Sequence, residues 1–595
     1  MDHAGAGRRG VRRDGGHTPF MSHTANNGAR ATDQAAAPLV QALMDYVALH
    51  RARFHMPGHK GKAPEAEAAT CGARSDARPV AGTAVRGAGA TDPELASLFL
   101  TGAGPLRADV TEVEGLDDLH APGGPINEAQ RLAALAYGAD RTFFLVNGST
   151  CGLEAVIMAA CGPGDEIIVS RDTHMAVASG LVLSGARPVY VAPEVDELYG
   201  IPLGPSADRL DAALRRHPRA RAVVLTNPNY YGVAPDVKTL VAIAHGYGKI
   251  AVVDEAHGAH LPFHEALPPS ALAAGADAVV SGAHKSLPAM TQAAFLHLKG
   301  GALDAAKVGR MLRLVETSSP SYVLMASLDA ARRVAATRGR ELLDGVIRWA
   351  AAARERLSRL PGVMCLDADR LAARGFAHDP TKLVVSFWGL RSRGITGVEI
   401  ARRLRERHGV EVELADARNI LAILTMADSE ADVERLVVAI ESEIAGICSD
   451  GDAGERRGEV DRRARRRCRA AADDEAGEVR VPVAAYGPCH EVSACSLFSS
   501  TPPLRMTPRE AALSPTEWMP VREACGRVAA DVIVPYPPGL PVVCPGEEIT
   551  EPLVEFVLNA LSSGTAPRLR GVRGDGAVLV VVGAGRARPG RGPDA

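Results

Sequence analysis

No apolar stretch in the 595-residue chain approaches the roughly twenty residues that a membrane-spanning helix needs, so no such span is expected. The ten cysteines are scattered, at positions 71, 151, 161, 365, 448, 468, 489, 495, 525 and 544, and none forms a CxxC pair. That usage fits a reducing compartment, and a cytoplasmic location is expected. The formal net charge is only −3, with a pI near 6.7, so the electrostatic footprint of a nucleic-acid-binding protein is missing and the expected ligand is a small molecule. Arg8, Arg9, Arg12 and Arg13 could open an export signal, but Gly, His and Asn follow them where its apolar segment should lie. Residues 1–33 are read as a disordered leader.

What is present is a globular composition, 46% hydrophobic, and a length that calls for two or three domains. The sequence takes on a folded character from about Pro38, and residues 34–378 are read as an N-terminal segment plus a major domain. Within it, apolar runs alternate with Ala/Leu-rich stretches, the rhythm of a mostly parallel sheet wrapped by helices. The expected strands are Glu166–Ser170, Pro188–Ala192, Ala222–Thr226, Ile250–Asp254, Ala278–Ser281 and Ala293–Leu298, most of them separated by enough chain for a crossover helix. Residues 379–448 are read as a small α+β lobe, with LVVSFWGL and VEVEL as strands and helices over 397–408 and 429–445. Residues 449–500 turn into blocks of arginine and acid that cannot bury enough apolar surface to order themselves, and read as a charged linker or insertion. A C-terminal domain is expected over 501–562, and a flexible tail rich in Gly and Arg over 563–595.

Catalytic groups in such a sheet belong at the carboxyl ends of its strands. The strongest signal there is SGAHKS (281–286), directly after the apolar run Ala278–Val280. A lysine at that position loses solvation, its pKa falls, and the free amine becomes available to form an imine with an aldehyde cofactor. The ordinary alternative is a surface lysine in a loop, and the neighbouring motifs argue against it. Asp254, at the end of IAVVD, is a buried carboxylate in need of a cation, and the pyridinium nitrogen of pyridoxal 5'-phosphate (PLP) is one; the competing role is a helix N-cap. The strand, small-residue turn and helix start of FFLVNGSTCGLEA (143–155) make an anion cradle in which Ser149 and Thr150 could hold a phosphate, although a plain helix cap would look the same. His174, just beyond the next strand, can lie flat on a cofactor ring or be a half-buried histidine bonded to backbone. Together with TNPNYYG (226–232), DEAH (254–257) and AHK (283–285), it gives four polar constellations at successive strand ends.

At this point the sequence resembles the prokaryotic Orn/Lys/Arg decarboxylases, and most of all the shorter members without an N-terminal wing domain. The likeness rests on FHMPGHKG (54–61), GLDDLHAP (115–122), ADRTFFLVNGST (139–150), CGPGDEIIV (161–169), VDEAHGAH (253–260), AHKS, SYVLMASLDAAR (321–332), DPTKLVVS (379–386), RMTPREA (505–511) and YPPGLPVVCPGEEIT (536–550). It implies an α/β protein: a major domain of the aspartate-aminotransferase-like PLP fold type I with a mostly parallel seven-stranded sheet, a small α+β lobe and a C-terminal decarboxylase domain. It further implies that Lys285 is the Schiff-base lysine. Ser281 and His284 would reach the phosphate with Ser149 and Thr150, Asp254 would pair with the pyridine nitrogen, His174 would stack on the ring, and His257 would sit close by. Glu547 of the PGE motif would face the distal amino or guanidino group of the substrate, since a cation there needs a carboxylate. Here Ser149 precedes Thr150, the reverse of the order in better-known members.

The implied activity is PLP-dependent removal of the α-carboxylate as CO2 from lysine, arginine or ornithine, with Lys285 or His174 returning a proton to Cα. The resemblance also implies a homodimer or higher homo-oligomer, in which FHMPGHK and Ser318–Ser319 could line a partner's site. Two other readings stay open at this level. A PLP aminotransferase or C–S lyase would use the same lysine, aspartate and phosphate cradle, and a catalytically silent homologue would only bind a polyamine or a partner.

Overall fold

Seven short apolar segments build the central sheet: β1 (Arg141–Leu145), β2 (Glu166–Ser170), β3 (Arg187–Val191), β4 (Ala222–Thr226), β5 (Ile250–Asp254), β6 (Ala278–Ser281) and β7 (Ala294–Leu298). In this computed structural model, which describes residues 34–48, 108–453, 497, 501–536, 539–562 and 568–584, they lie in the order β1-β7-β6-β5-β4-β2-β3. The β3-β2, β2-β4, β4-β5 and β5-β6 pairs are parallel. The pairs that β7 makes with β6 and β1 are antiparallel. The connection between β6 and β7 holds only a four-residue helix, Ala283–Ser286, and a loop, with no crossover helix to carry the chain back for a parallel return. The expectations for residues 1–33 and for FHMPGHKG lie outside the described residues.

Successive residues along the inner strands feed opposite faces, as a period of two requires. Ile168, Val223 and Val253 belong to one buried cluster, and Ile167, Val224 and Val252 to another on the other face. Both faces are therefore dry, which is why these strands read as unbroken Val/Ile runs. Helix α1 (Gly148–Ala160) lies against β1 and β6 at Gly152, where a Cβ would sit 2.6 Å from Leu145 Cδ1 and 3.1 Å from Val280 Cγ1. Helix α2 (Met175–Ser184) follows β2.

A 37-residue helix, α3 (Tyr322–Ser358), joins the major domain to the small lobe. Its first half packs through Tyr322, Leu328, Ala331 and Leu343 into the major core, and its second half through Val346, Ala350, Ala353 and Leu357 into the lobe's own core. The lobe sheet runs β8 (Met364–Cys365), β9 (Lys382–Ser386), β11 (Asn419–Ile423), β10 (Leu414–Ala415), backed by α4 (Glu430–Ala453). The lobe therefore starts before the expected boundary at 379, and its last helix passes 448. VEVEL is also a correction. Only its end, the Glu413 N–H and Leu414, joins the sheet, as an edge, whereas NILAI (419–423) pairs on both sides and is the interior strand. Beyond Ala453, the charged segment lies outside the described residues except Leu497.

The C-terminal unit opens with a capping box at Thr507 and Glu510. Strand β12 (Thr516–Pro520) pairs with β15 (Ala577–Val581), and β13 (Val534–Tyr536) with β14 (Arg568–Arg570), around helix α5 (Glu551–Ser562). The flexible tail expected over 563–595 is thus corrected: residues 568–584 are folded. AVLVV (577–581) puts Val578 and Val580 into the unit's core, a signal hidden between Gly/Arg-rich flanks. Among the described residues, no helix is long and apolar enough to cross a membrane.

The tight approach at Gly152 yields a stability test. Gly152→Val should lower the unfolding free energy by about 1–3 kcal/mol, as overpacking does, and shift the urea midpoint down. An unchanged midpoint would mean that α1 is free to slide on the sheet.

Candidate active site

The carboxyl ends of β1, β2, β4, β5 and β6 converge on one cavity of about 290 Å³. Ser149, Thr150, His174, Asp254, His257, His284 and Lys285, seven of the nine residues singled out in the sequence, line it. Ser281 and Glu547 do not.

Lys285 stands on the short helix after β6, and its Nζ lies 3.0 Å from Nε2 of His257. Burial lowers the lysine's pKa, while the negative charge of Asp254 pulls it back up; Lys382 adds to the lowering and Glu413 opposes it. Burial and the adjoining Lys285 also hold His257 well below the usual histidine range, so its ring is neutral and its Nε2 can accept from Lys285. His257 Nδ1 is buried without a partner. Asp254 is 3% exposed, accepts from the Ala256 N–H at 3.0 Å, and is raised by burial against the pull of Lys285.

His174 is the N-cap of α2: its Nδ1 accepts from the Ala176 N–H at 3.2 Å, so the neutral ring carries its hydrogen on Nε2. Burial, with Lys285 and Arg570 adding like charge, lowers its pKa to about 4. On the opposite wall, Ser149 Oγ is buried with no hydrogen-bond partner, and so is Thr226 Oγ1. Gly282 keeps the intervening space open, since a Cβ there would lie 2.6 Å from the Ala256 carbonyl oxygen and 3.2 Å from Ser149 Oγ. His284 Nδ1 pairs with the Ala293 carbonyl at 3.1 Å.

Ser281 ends β6 opposite Phe295 and is 1% exposed, buried in the sheet rather than facing the cavity. Glu547 departs further from expectation. It is fully buried, its Oε2 accepts from Arg171 at 2.9 Å and from the Cys544 N–H at 2.7 Å, and Arg171 also donates to the Pro541 carbonyl at 2.7 Å. Burial is the largest single influence and works against the Arg171 charge, but Glu547, Cys544 and Tyr190 together overcome it and the guanidinium is held charged. The carboxylate is thus committed to an internal ion pair with the residue that precedes Asp172, Thr173 and His174. In effect, it fastens the C-terminal unit to the end of β2. That attachment brings Tyr536 and Leu540 into the cavity wall, and Met175 N–H donates to the Gly539 carbonyl at 3.1 Å.

Several lining residues escaped the sequence reading. Asp172 is 1% exposed, accepts from the Ser170 hydroxyl and is raised by burial; it stood in IIVSRDTH, at a strand end where the placement argument could have found it. Gln292, in a left-handed conformation with φ 78°, and Tyr536 had no local signal. Arg570 does not itself line the cavity, but its guanidinium carbon lies 3.6 Å from the centroid of the Tyr536 ring. Removing one partner of the buried pair should be costly: Glu547→Gln should destabilise the protein by about 3–5 kcal/mol, seen as early release of the C-terminal unit in denaturant or to protease. An unchanged denaturation curve would refute the anchoring role.

Comparison with known proteins gives the same picture at the level of family. Residues 86–372 match the family model for the Orn/Lys/Arg decarboxylase major domain, and residues 493–566 match that for its C-terminal domain. Arginine decarboxylase of Bacillus subtilis is 37% identical over 532 residues, covering 89% of this chain and 95% of that protein. Lysine decarboxylase LdcA of Pseudomonas aeruginosa is 25% identical, over 90% of this chain and 77% of that protein. Among solved structures, lysine decarboxylase A from Pseudomonas aeruginosa superposes with a TM-score of 0.71 at 23% identity, covering 92% of this chain and 80% of that one, a likeness of fold. The seven-stranded sheet, the small lobe and the C-terminal unit are those of the PLP fold type I decarboxylases, and the chain belongs to the Orn/Lys/Arg decarboxylase family.

Proposed function

We propose that this protein is a PLP-dependent arginine decarboxylase, converting arginine and one proton into agmatine and CO2. The observation that carries the reading is the half-buried Lys285, with its lowered pKa, in one cavity with Asp254, His174 and the unpartnered Ser149 hydroxyl. Arginine is favoured over lysine and ornithine because the relative at 37% identity, matched over 95% of its length, is an arginine decarboxylase.

The donor set fits PLP. The orphaned Ser149 hydroxyl and the space that Gly282 keeps clear beside it suit a phosphate at the start of α1, with Thr150 and His284 adjoining. Ser281, enclosed in the sheet, is left out of that set. Asp254 would hold the pyridine nitrogen protonated, and His174 would cover the ring. When bound, PLP supplies the electron sink that lets the bond from Cα to the carboxylate break.

The chain's own residues do the rest. Lys285 Nζ is kept reactive by burial, which favours its neutral amine, and His257 Nε2 orients it by accepting its hydrogen. The proton that replaces CO2 at Cα would come from Lys285 Nζ after that amine has taken up the one solvent proton the reaction consumes. His174, with its hydrogen on Nε2 and neutral above about pH 4, adds a polar cover without a competing positive charge. Tyr536 and Leu540 of the C-terminal unit narrow the entrance and limit water. A homo-oligomer working in the cytoplasm is part of the proposal, with the exposed Ser318 and Ser319 offered to a second subunit.

The test is to supply purified protein and PLP with arginine, lysine and ornithine separately, and to measure CO2 with agmatine, cadaverine and putrescine. Agmatine should dominate, and Lys285→Ala should lower its rate by more than about 1,000-fold while removing the visible absorbance of the lysine-bound cofactor. A keto acid in place of CO2 would make the protein an aminotransferase, and an intact absorbance with no turnover would make it a silent homologue.

A further inference from the structure

An arginine substrate carries a positive charge at the end of its side chain, and the carboxylate expected to meet it, Glu547, is sealed in the pair with Arg171. Asp254 and Asp172 are buried at the strand ends among the cofactor-facing groups. A further carboxylate, which does not itself line the cavity, is reached through Tyr230. Tyr230, a lining residue, packs edge-on against His257 with ring centroids 4.7 Å apart, and its hydroxyl donates to Oε1 of Glu413 in the small lobe. Tyr230 therefore spans from the histidine that holds Lys285 to an exposed carboxylate. A tyrosine reaches about as far from Cα to its hydroxyl as arginine does from Cα to its guanidinium, so a substrate lying along Tyr230 would bring its cation to Glu413.

Glu413 differs from its neighbours in being free to accept that cation. Glu411 is engaged by Arg405 at 2.7 Å, Asp432 bonds Ser429 at 2.6 Å, and Asp428 takes the Thr425 N–H at 2.6 Å. Among the described residues no Lys or Arg forms a salt bridge with Glu413, and the Tyr230 hydroxyl fills only one of the roughly four acceptor positions of a carboxylate. Lys382, a cation that feels the Glu413 charge, is enclosed beside Asp379, with Nζ 3.9 Å from Oδ2. The charge of Glu413 is nonetheless felt at Lys285 and at Lys382, so it belongs electrostatically to the site.

We infer that Glu413, positioned by Tyr230, is the carboxylate that receives the distal cation of the substrate and sets the preference for a charged side chain. This rests on the proposed decarboxylation of a basic amino acid. The experiment is steady-state kinetics of PLP-loaded wild type, Glu413→Gln and Tyr230→Phe on arginine and on citrulline, its uncharged ureido analogue, with agmatine binding measured by calorimetry. A charge-assisted hydrogen bond contributes about 1.5–3 kcal/mol, so Glu413→Gln should raise KM for arginine about 10- to 100-fold and weaken agmatine to match. The kcat should stay within a few-fold, the preference for arginine over citrulline should collapse, and Tyr230→Phe should show a smaller change of the same kind. The lysine-bound cofactor absorbance should persist in both variants, separating a lost contact from a lost fold. An active wild type whose KM, agmatine affinity and charge preference survive Glu413→Gln overturns this inference alone. A wild type that releases no CO2 from any basic amino acid overturns the proposed function, and this inference with it.

Discussion

The site depends on a balance of charge around one amine. Burial pushes Lys285 toward its neutral form, and the carboxylate of Asp254 pulls it back. A lysine in water would stay protonated and inert, and a lysine locked to a carboxylate would be equally unreactive. The sheet sets the compromise, because the parallel strands β5 and β6 end side by side and deliver Asp254 and the Lys285 helix to one place. The dry Val/Ile faces of those strands make the local environment poor in water. The same packing that stabilises the domain thereby adjusts the chemistry of its reactive group.

A second constraint is that the cavity is completed by a unit lying far away in sequence. Arg171 and Glu547 are 376 residues apart, yet they form a buried pair at 2.9 Å whose effect is to hold Tyr536 and Leu540 over the cavity. A buried ion pair contributes little net stability compared with apolar replacements, but it tolerates no loss of one partner. Its value here is registry: with Pro541 and Cys544 also bonded into it, the C-terminal unit docks in one position. The two strands beyond residue 567 finish that unit, so the cavity wall relies on chain that by composition looks like a loose end.

The small lobe enters through α3, whose two halves sit in two different cores. The lobe contributes a carboxylate at the rim rather than a group at the reacting carbon. Chemistry at Cα and recognition of the distal cation are thereby carried by separate parts of the chain, and a change in substrate preference would leave the amine and its aspartate untouched.

Local patterns made much of this legible in the sequence. The sheet strands from β2 to β7 lie within a residue of the apolar runs read in the sequence. Lys285, Asp254, His174 and the Ser149–Thr150 turn could be expected around one cavity because a polar residue directly after a buried strand has few other places to go. VEVEL failed because alternation marks a strand's faces but not whether a partner lies beside it, and AVLVV was overlooked because five apolar residues between glycines carry little signal without the strand they pair with. The sequence by itself determined the sheet, the lysine and its aspartate, since these follow from periodicity and burial within a few residues. Only the tertiary structure decided that Glu547 is bound to Arg171, that Ser281 is enclosed, and that Glu413 meets Tyr230 across 183 residues, because the partner of a charge depends on which surfaces pack together.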